Sequence, residues 1–262
     1  MITSPSNPQL KNLSALLKKK KERDEQRVFV TEGRKMFEEA RDDINTAVRE
    51  VFVSVDFYER LLAEGPGESY FGGIPFETVK ASLFNSVSET VTPQGILAIV
   101  EKPDHSVESI LKTRPARLIL LENLQDPGNL GTIVRTAEGA GMTGIIMSEG
   151  TVDIFNPKVI RSTMGSVFRM PFAYVPDMPE AVSMLQKEGI SVFAACLDGA
   201  VSYRDVSFAG ETAIMIGNEG NGLTEAAQKA AGKRIFIPMA GRVESLNASV
   251  AAAILMYASG EK

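Results

Sequence analysis

Residues that could carry out chemistry lie in three short stretches, each of which follows a run of apolar residues. The first, "DPGNLGTIVRTAEG", contains Asn129 and Arg135. The second, "GNEGNGL", places Glu219 among three glycines. The third, "SLNAS", contains Ser245 and Asn247, and a helix of small and apolar residues is predicted to begin near Ser245. Side chains of these types can align a substrate and stabilise negative charge, so the chemistry they indicate requires no metal.

The composition argues against several other kinds of site. One Cys and one His in 262 residues cannot form a disulfide framework, a His/Cys metal site or a Ser-His-Asp triad. His105 lies in a proline-containing segment of mixed charge and is predicted to be a surface residue. Gly139, Gly141 and Gly144 match the pattern G-x-G-x-x-G, but they follow a predicted helix and precede a predicted strand. This order indicates a helix end and a turn, not a dinucleotide-binding loop.

Each stretch also has a purely structural interpretation. Asparagine and serine are residue types that cap helices, and Asn129 is placed to do so. Arg135 could form an ion pair with Glu138, one helical turn further along the chain. The glycines of residues 217–222 are expected to have positive φ angles, as in a tight turn or in a backbone that approaches a ligand.

Strand-like and helix-like segments alternate along the chain, which predicts the α/β class. Residues 1–101 form a small first domain, residues 102–116 a linker with one short helix, and residues 117–262 a second domain. Short apolar runs in the second domain predict a parallel sheet with helices on both faces. Ligands of such sheets bind beyond the carboxyl ends of the strands, where the three stretches lie. The predicted strands of the first domain are "RVFVTEG", "VREVFVS" and "QGILAIVE". Those of the second domain are "RLILLEN", "GIIMS", "FAYV", "ISVFAAC", "TAIMIG" and "RIFIPM".

The distribution of charge is uneven. A net charge of -5 argues against a protein that coats nucleic acid non-specifically. Residues 1–35 nevertheless contain nine basic and four acidic residues, centred on the run Lys18 to Lys21. This run is either the solvated face of an amphipathic helix or a phosphate-binding arm. The chain shows neither an apolar run of about 18 residues nor a basic start followed by an apolar core, so we expect a cytoplasmic protein.

Taken in order, the three stretches resemble the three motifs of the SpoU (TrmH-like) ribose 2′-O-methyltransferases of the SPOUT class. The matching segments are "DPGNLGTIVRTAEGAG", "IGNEGNGL" and "IPMAGRVESLNASVAAAI". In addition, "FVTEGRKMFEEA" and "TPQGILAIV" are similar to the N-terminal substrate-binding domain of that family, which has an α/β fold like that of certain ribosomal proteins. The resemblance implies S-adenosyl-L-methionine as cofactor, a C-terminal trefoil knot, a homodimer and RNA as partner, without a metal or a membrane.

The resemblance also assigns site residues. Its catalytic motif positions fall on Asn129, Arg135, Glu219, Ser245 and Asn247. Because a guanidinium, with a pKa above about 12, stays charged, we expect Arg135 to stabilise an alkoxide or hold a phosphate and not to act as a base. The implied cofactor-binding positions are Ala195, Cys196, Leu197, Gly217, Asn218, Gly220, Ile237, Met239, Ser245 and Leu246.

The implied reaction is 2′-O-methylation of a ribose in RNA, with 23S ribosomal RNA as the expected substrate and transfer RNA as the alternative. Two other classes of function stay open. The chain could be a non-catalytic RNA-binding or ribosome-assembly factor, which the presence of Arg135 and Asn247 disfavours. It could also be a nucleotide-dependent oxidoreductase, which the order of the glycines disfavours.

Overall fold

The computed structural model describes residues 1–260, and these form two compact units. Unit 1 comprises Met1–Asp104 and Phe155–Phe168, and unit 2 comprises His105–Ile154 and the chain from Arg169 onward. The chain therefore contributes two separate segments to unit 1. No pattern in the sequence predicts the second of these segments.

Regular elements alternate along both units. The strands are β1 (Val28–Glu32), β2 (Val48–Ser54), β3 (Phe76–Val79), β4 (Ile96–Glu101), β5 (Arg117–Leu121), β6 (Gly144–Ser148), β7 (Phe172–Val175), β8 (Ser191–Ala195), β9 (Val201–Ser202), β10 (Thr212–Ile216) and β11 (Lys233–Phe236). The helices are α1 (Pro8–Lys18), α2 (Lys20–Gln26), α3 (Arg34–Asp42), α4 (Val55–Glu64), α5 (Ala81–Val87), α6 (Val107–Ile110), α7 (Pro127–Gly139), α8 (Pro157–Thr163), α9 (Ser166–Arg169), α10 (Met178–Lys187), α11 (Glu225–Ala230) and α12 (Ala248–Ala258).

Unit 1 is built on a four-stranded sheet in the order β1-β4-β2-β3. β4 runs antiparallel to β1 and β2, whereas β3 runs parallel to β2. The apolar face of α1, with Leu10, Leu13 and Leu16, is buried in the core of this unit. One of the two interpretations of the run Lys18 to Lys21 places it on an amphipathic helix, but the extended backbone at Lys19 divides the run between α1 and α2.

The second segment of unit 1 contributes to the same core. α8 packs against β1, and the ring of Phe155 lies 4.8 Å from that of Phe29, centroid to centroid. Val159 and Val167 of the segment are buried. Residues 155–168 are thus part of the hydrophobic interior of unit 1.

Unit 2 contains a seven-stranded sheet in the order β7-β6-β5-β10-β8-β11-β9, in which all neighbouring strands are parallel. Its central strands are apolar on both faces, which confirms the predicted α/β class with a parallel sheet. Leu118 and Leu120 share one core with Val182 and Leu185 of α10. The alternation of side chains along a strand directs Ile119 to the opposite face.

Helices cover this sheet. α12 packs against α7 and β10, and α10 packs against α11 and β8. α7 ends at Gly139, Gly141 has a φ of +68°, and β6 begins at Gly144, so the helix end and turn predicted for these glycines are confirmed. Within residues 1–260, no helix is long and apolar enough to cross a lipid bilayer.

Candidate active site

The residue that caps the N-terminus of α7 is Asp126 and not Asn129. The side chain of Asp126 accepts a hydrogen bond from the backbone N–H of Asn129 at 2.8 Å and caps α7. Pro127 follows at the first helical position, where its missing N–H costs nothing. The structural interpretation of Asn129 as the cap of this helix is therefore wrong. Its side chain is instead available for other contacts.

The side chain of Asn129 joins a polar network that connects all three stretches. The carboxylate of Glu219 accepts hydrogen bonds from the backbone N–H groups of Gln125 (3.0 Å) and Asp126 (2.9 Å) and from Nδ2 of Asn129 (3.0 Å). Oδ1 of Asn129 in turn accepts from Nδ2 of Asn247 at 2.9 Å. A carboxylate and two amides thus form one continuous chain in unit 2.

Asn247 is the end of this network and the cap of α12. Its Oδ1 accepts from the backbone N–H of Ser249 at 2.9 Å and from the Ser249 hydroxyl at 2.7 Å. The helix begins at Ala248, so the prediction that it starts near Ser245 is wrong by one turn. Ser245 lies outside the helix and does not cap it.

The charge of Glu219 fixes the orientation of both amides. Burial raises the pKa of its carboxyl group, but the hydrogen bonds from Asn129, Gln125 and Asp126 outweigh this effect and the pKa lies below the ordinary value. A carboxylate that stays charged can only accept hydrogen bonds. Asn129 must therefore point its NH₂ group to Glu219 and its oxygen to Asn247.

Residues 217–224, here called the clamped loop, are tied to the segment that follows β5. The buried carboxylate of Glu122 accepts from the backbone N–H (2.7 Å) and the hydroxyl (2.8 Å) of Thr224, which caps α11. At the other end of the loop, the amide of Asn218 donates to the carbonyl oxygen of Asn123 at 2.9 Å. With Glu219 between them, these contacts attach the loop to that segment at three positions.

The glycines of the clamped loop serve different purposes. Gly222 has a φ of +68°, whereas Gly217 and Gly220 do not have positive φ angles, so the expectation is wrong for these two. Gly217 is required by close packing, because a Cβ there would lie 2.2 Å from the backbone of Gly222 and Leu223. For Gly220 the nearest atom lies 3.6 Å from such a Cβ, which is an ordinary contact.

A cavity lies beyond the carboxyl ends of β8 and β11. Seven of the ten residues predicted to bind the cofactor line it, and the other three, Gly217, Asn218 and Gly220, belong to the clamped loop and do not. The full lining consists of Ala195, Cys196, Leu197, Ile235, Phe236, Ile237, Met239, Glu244, Ser245, Leu246, Ala251 and Leu255.

Four residues of the lining, Met239, Glu244, Ser245 and Leu246, belong to residues 239–246, here called the open loop. These residues form no hydrogen bond with any other residue that the structure describes. Cys196 also lines the cavity, and burial raises the pKa of its thiol, so this group is neutral near pH 7. The cavity is therefore largely apolar, with Ser245 and Glu244 as its main polar side chains.

Arg135 lies apart from the polar network. Six residues at about 100° each place it roughly 120° around α7 from Asn129 and about 9 Å along the helix axis. Its side chain is exposed and has no hydrogen-bond or ion-pair partner within residues 1–260. Glu138 instead pairs with Arg169, at 3.3 Å between Nη2 and Oε2, so the proposed Arg135–Glu138 ion pair is not formed.

Two residues of this site were not identified from the sequence. Asp126 precedes a proline at a helix start, which is a recognisable capping signal. Glu122 follows β5 directly, but nothing in the sequence indicates that its carboxylate is buried or that its partner is 102 residues away. Residues 1–260 contain no group of three or more side chains suited to hold a metal ion.

Two regions of the chain match known protein families. Residues 116–257 match the model of the SpoU rRNA methylase family. The chain belongs to the SpoU rRNA methylase family. Residues 7–98 of this SpoU chain match an MRM3-like substrate-binding domain.

Individual relatives cover both matched regions. The SpoU chain is 34% identical to the 23S rRNA (guanosine(2553)-2′-O)-methyltransferase RlmP of Bacillus subtilis, over 98% of this chain and 97% of that protein. It is 29% identical to human mitochondrial rRNA methyltransferase 3, over 97% of this chain and 72% of the relative. The AdoMet-bound rRNA methyltransferase of Sinorhizobium meliloti superposes with a TM-score of 0.83 and 32% identity, covering 98% and 96% of the two chains.

Proposed function

We propose that this chain transfers a methyl group from S-adenosyl-L-methionine to the 2′-hydroxyl of a ribose in 23S ribosomal RNA. The observation that carries the proposal is the Glu219–Asn129–Asn247 network, which unites the three family motifs in the same unit as a largely apolar cavity. Ribosomal RNA is favoured over transfer RNA because relatives that share nearly the whole chain are named rRNA methyltransferases.

The residues of the cavity suit this cofactor. Ile237, Leu246 and Leu255 offer apolar walls for an adenine ring, and Ser245 and exposed backbone offer polar contacts. When bound, the cofactor supplies a methyl group on a positively charged sulfur. Gly217, Asn218 and Gly220 would contribute through the shape of the clamped loop and not by lining the cavity.

Arg135 is proposed to act on the RNA and not on the cofactor. Its guanidinium stays charged and presents a planar set of donors that can contact two oxygens at once. Lacking a partner within the described residues, it is free to hold a phosphate or to stabilise the 2′-alkoxide as it forms. The network of Asn129, Glu219 and Asn247 would hold the three motif segments in the positions that the reaction requires.

We propose that residues 1–101 supply most of the RNA affinity, with residues 102–116 as a linker and residues 117–262 as the methyltransferase domain. The name of the family model that matches residues 7–98 supports this role. The Lys18 to Lys21 run is a weak candidate for the contact, because Lys20 lies 2.8 Å from Asp24 and Lys21 lies 3.6 Å from Glu25.

A second basic surface of unit 1 suits RNA better. Arg34, Lys35 and Arg60 line one cavity between α3, α4 and the loop before β4. Lys35 has no ion-pair or hydrogen-bond partner among residues 1–260. The cavity also contains Glu38 and Glu64, both paired with Arg34, so Lys35 and Arg60 are its available cations.

The assembly and location of the chain are further parts of the proposal. Val250 and Tyr257 lie seven residues apart on one face of α12 and are 47% and 56% exposed, which supports a homodimer through this helix. The return of α12 to α7 and β10 is compatible with a trefoil knot. A cytoplasmic location is supported by the similarity to the bacterial 23S rRNA methyltransferase. Light scattering of the wild type and of Tyr257→Asp tests the dimer, and a crystal structure traced through residues 237–258 tests the knot.

The central experiment incubates the purified protein with labelled S-adenosyl-L-methionine and unmodified 23S ribosomal RNA. We expect a single labelled nucleotide whose phosphodiester bond resists alkaline cleavage, because 2′-O-methylation removes the attacking hydroxyl. Label on transfer RNA alone would establish the alternative substrate. Cofactor binding without transfer to any RNA would indicate the non-catalytic alternative.

A further inference from the structure

Glu244 is a carboxylate in the lining of the cofactor cavity that has no partner. It belongs to the open loop and forms neither a hydrogen bond nor an ion pair with residues 1–260. The other two carboxylates of the site differ from it: Glu122 accepts two hydrogen bonds and Glu219 accepts three. Arg242, the nearest cation in sequence, does not pair with Glu244 either.

An unpaired carboxylate beside apolar side chains favours a positively charged ligand. Ile237, Met239 and Leu246 of the same lining are uncharged, so Glu244 is the group in this lining that attracts a positive charge. Nothing else in the described lining carries a full charge near pH 7, because the Cys196 thiol has a raised pKa.

We propose that Glu244 makes the cavity selective for the positively charged sulfonium cofactor over the neutral thioether that remains after methyl transfer. This inference rests on the proposed use of S-adenosyl-L-methionine. In the reaction the C–S bond breaks and a C–O bond forms at the ribose 2′-oxygen, whose proton is released to the solvent. The sulfur keeps the electron pair of the broken bond and becomes uncharged, so the attraction to Glu244 is lost when the product must leave.

The size of the effect follows from the exposure of the loop. Because the Glu244 carboxylate is solvent-accessible, its interaction with one positive charge is partly screened. We expect Glu244→Gln to weaken cofactor binding about fivefold, which corresponds to roughly 1 kcal/mol. The same screening predicts that the selectivity decreases as the salt concentration rises.

The test measures the affinities of three ligands by titration calorimetry on the full-length protein. S-adenosyl-L-methionine carries a sulfonium, sinefungin carries an amine at the corresponding position, and S-adenosylhomocysteine carries neither charge. Glu244→Gln is expected to weaken the two cationic ligands about fivefold and to leave the neutral one unchanged. Glu244→Asp should retain most of the selectivity. Glu149→Gln, an exposed carboxylate of the same unit outside the cavity, changes the net charge equally and serves as control.

The possible outcomes are distinct. An equal loss of affinity for all three ligands would show that Glu244 contacts a group they share, and would overturn the inference. Unchanged affinities, or equal effects of Glu149→Gln and Glu244→Gln, would overturn it as well. If the wild type bound none of the three ligands, the cofactor assignment itself would be wrong and the inference with it.

Discussion

The clamped loop and the open loop both follow strands of the unit 2 sheet. Three polar side chains of the clamped loop have hydrogen-bond partners, whereas those of the open loop have none among the described residues. In the clamped loop, Asn218, Glu219 and Thr224 all have partners on the segment after β5. In the open loop, Glu244 and Ser245 have none among the described residues. Polar groups that are already paired hold a structure, whereas unpaired ones in a cavity are available to a ligand. The first loop should therefore determine stability and the second should determine affinity.

The largest effect is expected from Gly217→Ala. The added Cβ would lie 2.2 Å from the backbone of Gly222 and Leu223, and backbone atoms cannot give way cheaply. We expect a loss of more than about 3 kcal/mol in the free energy of unfolding, measured with urea. Gly220→Ala is the matched control, with an expected loss below about 1 kcal/mol. Equal losses for both variants would contradict the steric role of Gly217.

Arg135→Lys extends the comparison to an unpaired group on α7. A lysine keeps the charge but not the planar set of donors. We expect single-turnover methylation to fall by on the order of a hundredfold, the scale of losing a preorganised donor to an oxyanion. The free energy of unfolding should be unchanged and the dissociation constant of the cofactor should stay within a few-fold of the wild-type value, since Arg135 has no partner within the described residues. If Arg135→Lys methylated RNA at the wild-type rate, the proposed role of Arg135 in the reaction would be wrong.

The pH dependence of stability probes the paired carboxylate. The pKa of Glu219 is lowered in the folded protein, so its stabilising effect is complete above the unfolded value near 4.5 and is lost as the pH falls through the lowered pKa. We expect Glu219→Gln to cost about 1 kcal/mol at pH 7. The difference from the wild type should shrink below pH 4.5, as followed by urea unfolding. A constant difference from pH 7 to pH 3 would exclude the charge as its cause.

The smallest expected effect is on RNA binding by unit 1, where an unpaired lysine is compared with a paired one. Lys35 is unpaired within the described residues, whereas Lys20 lies 2.8 Å from Asp24. We expect Lys35→Ala to weaken RNA binding about threefold and to reduce the slope of log affinity against log salt by roughly 0.7 to 0.9. Lys20→Ala, the matched control, should change both less. A larger effect of Lys20→Ala than of Lys35→Ala would show that the run Lys18 to Lys21 contacts the RNA.

These experiments use the intact chain for a structural reason. A fragment that begins at residue 117 would retain residues 155–168 but lose the remainder of unit 1, whose core they share. Buried apolar side chains such as Phe155 and Val159 would then become exposed. Loss of function in such a fragment would not separate RNA binding from misfolding.

The sequence predicted those features that arise from local patterns. β2, β6 and β7 have the predicted bounds because each is a continuous apolar or alternating run with clear ends. β3 and β9 were missed because they are short and partly exposed, so they carry no such signal. The helix α12 was placed one turn early because serine and asparagine both cap helices and only the three-dimensional structure distinguishes them.

The features of the site that depend on local sequence could also be predicted, and those that depend on contacts between distant residues could not. The family motifs indicated Asn129, Glu219 and Asn247, and the structure joins them by hydrogen bonds. The sequence did not reveal which amide faces the carboxylate, nor that Glu122 is buried against Thr224, because both depend on contacts between residues about 90 to 120 positions apart. The unpaired state of Arg135 is likewise a property of the fold, since a partner at the right spacing was present in the sequence.

The position of residues 155–168 in unit 1 has a consequence for synthesis on the ribosome. The first segment of unit 1 ends at Asp104, but the aromatic side chain that packs on Phe29 is not made until Phe155. At 5–20 residues per second, about fifty further residues take roughly 3 to 10 seconds. During this interval the side chain of Phe155 does not yet cover Phe29, although all residues of β1 to β4 have been synthesised. The N-terminal unit of this chain can therefore finish folding only after part of the following unit has left the ribosome.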